Sequence, residues 1–367
     1  GHGGSHLFPK GVLLSNGPLG SAIPQSQGLA YADALAGHAR VTLTAITDGA
    51  CMEGEAREAL AAIPGLAAAG KLAPYVLIIS DNNTKLTGRI DKDSFSMAPS
   101  FASLAALGWD VVDLHAGHDL QACVSTIESA MARARANPRR PIAIHARTVK
   151  GFGVKKTADS SSGGHGFPLK HPSELGAFLA EIYTGTSVPP AFSQWAEEQV
   201  AHALNKKSAG EKPAVPEQKV QVGVSRALIQ KRQQGLPIIS VSADLPGSTG
   251  MADFQKAFPG STQDIGVAES NMVSMAAGLS KLGFIPVVDT FAQFGVTKGA
   301  LPLTMAALSQ APVICVFSHV GFQDAADGAS HQALCYYSMV SGIPHTRVYS
   351  LTCSDEAEAL VGAAVDR

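Results

Sequence analysis

Two apolar, β-rich runs in the first hundred residues each end in a turn of acidic or amide residues. Residues 41–46 lead into Asp48 and Gly49, and residues 75–79 lead into Asn82. In an open parallel sheet, ligands bind beyond the carboxyl ends of the strands. Asp48 and Asn82 are therefore expected at one edge of an α/β sheet, and this edge is the first candidate for a ligand site.

The two turns offer the ligands that a hard cation prefers. Mg²⁺ takes octahedral oxygen ligands and usually binds through one or two carboxylates together with substrate phosphates. A helix predicted after Gly49 adds free N–H groups and the positive end of a helix dipole for a diphosphate. We interpret the turns as a metal-bridged diphosphate site, while Asp-Gly and Asn-Asn pairs are also common in ordinary turns and loops.

The composition indicates a globular chain that is long enough for two domains. It has 367 residues, of which 46% are hydrophobic and 16% are charged. The net charge of −2, without a basic stripe, argues against nucleic acid as the main partner. No apolar run is long enough for a membrane partner, and five cysteines without metal-ligand spacing are typical of a cytoplasmic protein. The start at Gly1 rather than Met suggests a fragment.

Strand and helix patterns alternate in two successive blocks, which predicts two parallel α/β sheets. The first block covers 1–185, a Pro-, Ser- and Lys-rich linker covers 186–217, and the second block covers 218–367. Pro64 is expected to interrupt the helix that follows the first turn. The predicted strands lie at 41–46, 75–79, 109–114, 141–147, 238–243, 264–267, 284–289, 313–318 and 346–349, and the predicted helices at 21–36, 55–62, 120–136, 192–204, 271–282 and 295–308.

The spacing of the two turns resembles the thiamine diphosphate signature, in which GDG is followed about thirty residues later by NN. Thr47 stands here in place of the first Gly. The segment from Gly17 through Leu19 also resembles the GPLGQG segment of transketolases, which implies that both residues contact the cofactor. His2 matches the His of the GHPE segment, although a terminal residue without a role is an equally good interpretation.

The end of the first block resembles the same family. The sequence T-x-K-G-x-G at 148–153, followed by His165 in H-G-x-P-L, is how transketolases and deoxyxylulose-phosphate synthases close this domain. By itself, a surface His in a flexible glycine loop is usually inert. The resemblance implies that His165 contacts both the cofactor and the substrate and takes part in catalysis.

In the second block, Glu269 is the candidate acid of the cofactor site. A Glu at a helix start is often a first-turn acid, but a carboxyl group in an apolar pocket also holds a proton near pH 7. The segment resembles the transketolase RE-x-x-M, with Ala268 in place of the Arg. Phe291 and Phe294 resemble T-F-x-x-F, whose rings sandwich the aminopyrimidine, and Thr297 stands where a further aromatic is expected.

The segment from His319 to His331 resembles a transketolase loop, with His, Asp-Gly and His-Gln in register. A hydroxylated sugar requires several convergent donors and acceptors. The alternative is a solvated loop without function. The resemblance implies catalytic roles for His2, His319 and His331, and it implies that substrate is bound by His2, His165, Ser248, His319, Asp327 and His331.

The resemblance covers nearly the whole chain and implies two consecutive thiamine diphosphate-binding-fold domains, each a mostly parallel sheet flanked by helices. The implied cofactors are thiamine diphosphate and Mg²⁺, for which Ca²⁺ or Mn²⁺ can substitute. Asp48, Asn82 and a backbone oxygen near Thr84 would hold the metal, and Asp244 would face the cofactor. The implied assembly is a homodimer with active sites between subunits, and Glu53 is either a first-turn acid or a dimer contact.

The implied activity is transfer of a two-carbon ketol unit from a ketose to an aldose, with sugars or sugar phosphates as substrates. The alternatives are a deoxyxylulose-phosphate synthase, a non-catalytic thiamine diphosphate-binding subunit, and a nucleotide-dependent dehydrogenase. The last is disfavoured because no Gly-x-Gly-x-x-Gly follows the first strand. Residues 219–221 and 349–352 lack the Arg that phosphate-using transketolases place there, which predicts a weak preference for phosphorylated substrates.

Overall fold

A computed structural model describes residues 4–5, 7–166, 169–184, 186–208, 219–324 and 326–367, so His2 lies outside the described residues. The first domain contains a parallel sheet with the strand order β1-β2-β4-β3. Its strands are β1 (Thr42–Thr47), β2 (Tyr75–Asp81), β3 (Asp110–Leu114) and β4 (Ile142–Arg147).

The second domain repeats this architecture. Its four parallel strands are ordered β6-β5-β7-β8, so the predicted pair of parallel α/β sheets is confirmed. The strands are β5 (Ile238–Ser242), β6 (Thr262–Asp264), β7 (Ile285–Phe291) and β8 (Ile314–Ser318).

Helices cover both sheets. Short 3₁₀ turns also occur at Ala50–Met52, Pro172–Glu174 and Pro259–Ser261. The helices are α1 (Ala22–Leu35), α2 (Gly54–Ala68), α3 (Ile90–Asp93), α4 (Ala98–Ala102), α5 (Leu104–Leu107), α6 (Leu120–Ala136), α7 (Lys155–Ala158), α8 (Leu175–Ile182), α9 (Pro190–Ser208), α10 (Gln221–Gln233), α11 (Pro246–Thr249), α12 (Ala252–Ala257), α13 (Glu269–Lys281), α14 (Ala292–Thr297), α15 (Ala300–Leu308), α16 (Tyr336–Val340) and α17 (Ser354–Val365).

The central strand β2 shows why the apolar runs form parallel strands. Leu77 and Ile79 pack into one hydrophobic core, and Val76 packs into a separate core on the other side of the sheet. All three side chains are fully buried. A strand that is buried on both faces reads as a continuous apolar run, which is the pattern of a parallel sheet covered by helices.

The prediction that Pro64 interrupts its helix is wrong, because α2 continues through it to Ala68. Proline cannot donate the helical hydrogen bond to the carbonyl four residues earlier. That carbonyl belongs to Leu60, and it accepts a hydrogen bond from the buried indole Nε1 of Trp109 at 2.8 Å. The indole of Trp109, which lies directly before β3, thus replaces the missing backbone donor.

Three further local predictions are wrong. Residues 346–349 are exposed and form no strand, because no neighbouring strand pairs with them in the described chain. The helix predicted at 295–308 is two helices, since Pro302 fits only the first turn of a new helix. The strand predicted at 264–267 lies at Thr262–Asp264, and Gly266 follows it with a positive φ of 76°.

The segment 186–217 contains more helix than expected. In place of the short helix predicted at 192–204, α9 runs over Pro190–Ser208 and contacts α8. Among the described helices, none combines the length and the apolar character needed to cross a membrane.

Candidate active site

The carboxyl ends of β1 and β2 bring Asp48 and Asn82 together. The two strands pair in parallel along their length, so the turns that follow them begin side by side. The Asp48 carboxylate accepts hydrogen bonds from the backbone N–H groups of Gly49 at 2.9 Å, Asn82 at 2.9 Å and Asn83 at 2.5 Å. These contacts fix the carboxylate at the edge of the sheet where ligands bind.

Burial changes the acidity of Asp48. Desolvation raises the pKa of its carboxyl to about 6, while the three backbone N–H groups lower the pKa and the negative charge of Asp81 raises it further. A cation bound to the carboxylate would favour its charged form and oppose the effect of burial. The environment therefore suits a carboxylate whose missing counter-charge is supplied by a metal ion.

The side-chain amide of Asn82 has an oxygen that fits a metal ligand. Its Nδ2 donates to the carbonyl of Ser80 at 3.3 Å, whereas its buried Oδ1 has no hydrogen-bond partner among the described residues. A buried polar atom without a partner is costly and calls for an ion, water or ligand. No cluster of three or more His, Cys, Asp or Glu residues that could hold a metal ion occurs in the described ranges, at this turn or elsewhere.

Thr84 and Lys150 lie beside the same turn. An ideal Cβ on Gly49 would be 3.6 Å from the carbonyl oxygen of Thr84, so the two backbones are in contact. The ammonium of Lys150 donates to the carbonyl of Lys85 at 3.3 Å, and its stem covers Gly163, which has no room for a Cβ. Burial lowers the pKa of Lys150 and two nearby carboxylates raise it. Lys150 is the K of the T-x-K-G-x-G segment, and it adds a positive charge beside the predicted diphosphate turn.

The glycine turn before α1 lies next to Glu53. Leu19 packs against the core of the first domain, and its carbonyl accepts a hydrogen bond from Lys298 at 3.0 Å. Gly17 is partly buried in the same turn. Gly20 has a φ of 93°, and a Cβ there would lie 2.6 Å from the Glu53 Cβ, so only glycine fits this position.

Glu269 begins α13 and is buried where the two domains meet. Its Oε1 accepts a long hydrogen bond from Thr290 Oγ1 at 3.5 Å, and its Oε2 has no partner within the part of the chain that the structure describes. Its negative charge acts on the carboxyl group of Glu53 in the first domain and raises the pKa of that group. Glu53 is thus a buried interdomain residue rather than a solvated first-turn acid.

Burial and two charged neighbours determine the ionisation of Glu53. Burial, followed by the neighbouring Glu269, raises the pKa of Glu53 to about 8, and Lys298 lowers it. The ammonium of Lys298 lies 2.5 Å from Glu53 Oε1. Glu53 is therefore a carboxyl group that retains a proton near neutral pH, with the ammonium of Lys298 beside it.

Aromatic rings and histidines form a wall beside the acid pair. The rings of Phe291 and Phe294 are buried and nearly parallel, with centroids 6.3 Å apart, and they pack with Leu86 of the first domain. His319 stacks on Phe291 at 4.0 Å, and His331 meets Phe294 edge-on at 5.0 Å. Four of the predicted cofactor and substrate residues are therefore in mutual contact.

The other predicted substrate residues lie further out. Asp327 is half-buried, and its backbone N–H donates to the carboxylate of Asp324 at 3.3 Å. Ser248 is half-buried at the end of α11, and its carbonyl accepts from Gln221 at 3.4 Å. His165 is exposed in a glycine-rich turn, with its backbone N–H donating to Ser162 at 3.2 Å. Their contacts with substrate remain predictions.

Asp244 contacts the loop that follows β2 in the first domain. Its carboxylate accepts hydrogen bonds from the buried ammonium of Lys85 at 2.7 Å, from the N–H of Leu86 at 2.6 Å and from the N–H of Thr87 at 3.1 Å. Lys85 also forms an ion pair with Asp264 at 2.7 Å. These contacts give Asp244 a role in holding the loop, and its predicted contact with the cofactor stays a prediction.

Three residues in this region have left-handed backbone conformations without being glycine. They are Asn83 with a φ of 54°, Asp244 with a φ of 66° and His319 with a φ of 59°. Asn, Asp and His tolerate this conformation better than most residues, although it still costs energy. Such conformations concentrate at functional sites because the surrounding structure must hold them.

Lysines are the main residues that sequence reasoning missed. Lys85, Lys150 and Lys298 each approach predicted site residues, and the partners of Lys85 and Lys298 lie more than 150 residues away in the chain. Two of them carried a signal in the sequence: Lys150 is the K of the T-x-K-G-x-G segment, and Lys298 is a lone charge between two apolar helical runs.

Family models match almost the entire chain. The model described as the transketolase thiamine diphosphate binding domain matches residues 1–212, and the model described as the transketolase pyrimidine binding domain matches residues 218–367. The order of the two matches is the order of the two parallel sheets.

Two curated relatives carry the name of the alternative enzyme. The chain is 29% identical over 261 residues to 1-deoxy-D-xylulose-5-phosphate synthase 2 of Jannaschia sp., covering 71% of this chain and 35% of that protein. It is 26% identical over 358 residues to 1-deoxy-D-xylulose-5-phosphate synthase of Mycobacterium tuberculosis, covering 94% of this chain and 54% of that protein. The chain thus spans about a third to about half of the length of these relatives.

Similar solved structures are transketolases. The transketolase from Leishmania mexicana matches with a TM-score of 0.41 and 22% identity, over 97% of this chain and 59% of that chain. The Pichia stipitis transketolase in complex with sedoheptulose-7-phosphate matches with a TM-score of 0.40 and 23% identity, over 96% of this chain and 60% of that chain. Because family models match both domains in order, the chain belongs to the transketolase family of thiamine diphosphate-dependent enzymes.

Proposed function

We propose that the chain supplies the cofactor site of a transferase that moves a two-carbon ketol unit from a ketose to an aldose, using thiamine diphosphate and Mg²⁺. One observation carries the proposal. In the described chain, Asn82 Oδ1 and Glu269 Oε2 are buried without partners, and these are the atoms expected to bind the metal and the pyrimidine ring. Their shared need for a ligand supports a cofactor that extends from the first domain to the second.

The first domain binds the diphosphate end in this proposal. Asp48, Asn82 and the backbone oxygen of Thr84 hold Mg²⁺, and the backbone of Gly49 approaches the diphosphate closely. The ammonium of Lys150 adds a counter-charge, because a diphosphate and one carboxylate together exceed the charge of a single Mg²⁺. The ion pair between Lys85 and Asp244 holds in place the loop after β2, which carries Asn82 and Thr84.

The second domain binds the ring end. When bound, thiamine diphosphate supplies an electron sink for the electron pair of the broken carbon–carbon bond. Glu269 Oε2 holds or gives a proton at the pyrimidine nitrogen, and Phe291 with Phe294 excludes water from the ring. The apolar wall also strengthens the hydrogen bond of Glu269, because the local dielectric constant is low.

The histidines act on the sugar. Burial lowers the pKa of His319, so the imidazole is neutral at physiological pH and can both accept and donate a proton. His319, His331 and His165 exchange protons with substrate oxygens, and Asp327 orients the hydroxyl group of the acceptor. The substrates are sugars or sugar phosphates. The active unit is a homodimer, but each site in this proposal is formed by the two domains of one chain rather than between subunits.

A deoxyxylulose-phosphate synthase is the second candidate, because both curated relatives described above carry that name. It uses pyruvate and releases carbon dioxide. Release of labelled carbon dioxide from pyruvate by the protein, without ketol transfer between sugars, would establish the synthase. The reverse result would establish the transketolase activity.

Titration calorimetry of thiamine diphosphate with Mg²⁺ tests the proposal. We expect metal-dependent binding by the parent protein and a loss of affinity of about a hundredfold in Asp48→Ala, because the metal loses its only carboxylate. Glu269→Ala should still bind but lose exchange of the C2 proton, measured by NMR. Glu128→Ala, which removes an exposed carboxylate on α6, is the matched control.

Two results would contradict the proposal. Binding by the parent protein that does not respond to Mg²⁺ removal would refute the metal site. Tight binding without any transfer of ketol units or use of pyruvate would favour the non-catalytic thiamine diphosphate-binding subunit. Comparison of phosphorylated and plain ketoses then tests the substrate class: similar kcat/KM values agree with the missing Arg residues, and a preference of about a hundredfold contradicts that inference.

A further inference from the structure

His118 lies in the loop 115–119, which connects β3 to α6, and it contacts the segment 148–153, which follows β4. The strands β3 and β4 pair in parallel, so the two segments begin side by side at the carboxyl end of the sheet. An ideal Cβ on Gly117 would lie 2.2 Å from the carbonyl oxygen of Arg147, so the loop backbone is in close contact with the end of β4. His118 has no part in the proposed function.

Two contacts attach the His118 ring to the segment 148–153. The backbone N–H of Val149 donates to Nε2 at 2.7 Å, and the ring stacks on Phe152 with centroids 3.8 Å apart and an interplanar angle of 6°. Because a backbone N–H can only donate, Nε2 must carry a lone pair, and the imidazole is therefore neutral in this arrangement. Phe152 is 62% exposed, so His118 covers a ring that is otherwise largely open to water.

The segment that His118 contacts also carries Lys150. The Lys150 ammonium donates to the Lys85 carbonyl at 3.3 Å, and an ideal Cβ on Gly49 would lie 3.7 Å from the Lys85 Cα. Lys150 therefore reaches the backbone that lies against the predicted diphosphate turn. The residues that contact His118 lie on either side of Lys150 in the chain, so the position of the ammonium depends on the His118 ring.

Protonation of His118 removes the acceptor of this hydrogen bond. An imidazole gains its second proton between pH 5 and 8, and a charged ring then presents an N–H to the Val149 N–H. The stack on Phe152 survives, since a cation is also attracted to an aromatic face. Asp119 caps α6 and Arg147 pairs with Asp81, so neither replaces His118 as the acceptor. The other titratable groups on the elements packed here are His115 in the loop, Lys150 in the segment and Cys123 on α6.

We propose that His118 is a positioning residue whose neutral ring holds the segment 148–153, and thereby Lys150, beside the predicted diphosphate turn. The inference rests on the proposed function, in which Lys150 supplies a counter-charge to the diphosphate. His118 itself contacts neither the cofactor nor the substrate in this proposal. It acts through the Val149 N–H, and protonation of the ring by solvent releases the segment.

Hydrogen exchange of the Val149 amide in the cofactor-free protein, corrected for the intrinsic pH dependence of exchange, tests the contact directly. In the parent protein, we expect the protection of this amide to fall about tenfold between about pH 8 and about pH 5, because the charged ring cannot accept its hydrogen bond. His118→Gln provides an amide oxygen that accepts the same hydrogen bond and does not titrate, so protection should persist across this range.

Two further variants separate the hydrogen bond from other effects of the ring. His118→Phe keeps an aromatic ring for the stack and removes the acceptor, so the protection of the Val149 amide should be low at every pH. His115→Gln is the matched control, because it removes a titrating ring from the same exposed loop. It should leave the pH dependence of the parent protein unchanged.

Titration calorimetry of thiamine diphosphate with Mg²⁺ at about pH 8, where an ordinary imidazole is neutral, gives the second readout. We expect the dissociation constant to rise by about threefold to tenfold in His118→Phe and to change by less than about twofold in His118→Gln. The effect should pass through Lys150. In a Lys150→Met background, His118→Phe should therefore change the dissociation constant by less than about twofold.

Protection of the Val149 amide that does not respond to pH in the parent protein, or that persists in His118→Phe, would overturn the proposal, since the hydrogen bond would not depend on the His118 ring. Equal losses of affinity from His118→Phe with and without Lys150 would overturn it as well. If the parent protein binds no thiamine diphosphate, the proposed function fails, and the exchange of the Val149 amide still decides whether His118 holds the segment.

Discussion

The indole of Trp109 allows a proline to lie inside α2, and this arrangement gives a quantitative prediction. The Leu60 carbonyl accepts its hydrogen bond from Trp109 Nε1 because Pro64 has no N–H to offer. Trp109→Phe removes this donor and leaves a fully buried carbonyl unsatisfied. We therefore expect a loss of unfolding free energy larger than the change in ring size alone would cause.

The magnitude follows from three losses. An unsatisfied buried carbonyl costs about 1–3 kcal/mol. The edge contact of Trp109 with Tyr75, at a centroid distance of 6.0 Å, is weakened, and the smaller ring leaves a void in the core. Together these predict that Trp109→Phe destabilises the protein by about 2–4 kcal/mol.

Pro64→Ala provides the test of cause. The alanine N–H can donate to Leu60 and replace the lost indole donor. Pro64→Ala should therefore stabilise the Trp109→Phe variant by about 1 kcal/mol more than it stabilises the parent protein. Urea unfolding followed by circular dichroism measures the four corners of this double-mutant cycle.

Trp195→Phe is the matched control, because Trp195 is 47% exposed on α9 and its loss should change stability little. Equal effects of Pro64→Ala in the two backgrounds would refute the reasoning. They would show that the Leu60 carbonyl does not depend on the indole.

Three further predictions concern the site region. Lys85→Met, which leaves two buried aspartates without their shared cation, should lower unfolding free energy by about 3–5 kcal/mol, whereas the exposed Lys92→Met should be neutral in the same urea titration. Gly20→Ala forces a strained backbone against a buried side chain and should lower the thermal midpoint, unlike Gly28→Ala in the open middle of α1. Burial raises the pKa of Asp289 from 3.8 to about 7, so the unfolding free energy should fall as pH rises through this interval. Asp289→Asn should remove this pH dependence of the unfolding free energy, measured by urea titration at several pH values.

The residues at the carboxyl ends of the strands are the part of the candidate site that the sequence predicts best. Asp48 and Asn82 could be placed together because each directly follows an apolar strand, and parallel strands end at a common edge. The fold class follows from the same alternation of strands and helices. Glu269 and the Phe291–Phe294 pair could be selected because their short motifs are local in the chain.

The features that the sequence did not predict depend on distant partners. The helix around Pro64 could not be predicted from neighbouring residues, because the donor that replaces the proline N–H belongs to Trp109. Lys85 lies in a polar loop like many lysines, and only the packing of the second domain makes it a buried cation. Residues 346–349 show the opposite error, since local β propensity is not sufficient where no neighbouring strand offers a partner.

The left-handed backbone conformations of Asn83, Asp244 and His319 lower the folding stability of a region that is predicted to be functional. Each such conformation costs of order 1–3 kcal/mol, and glycine would adopt it without the steric penalty of a side chain. A screen that rewards heat resistance alone would consequently favour glycine at these positions, and at His319 it would remove the imidazole from the site. In vitro evolution of this protein therefore requires selection for turnover alongside thermostability, because a glycine at position 319 would relax the backbone and also remove the ring that stacks on Phe291.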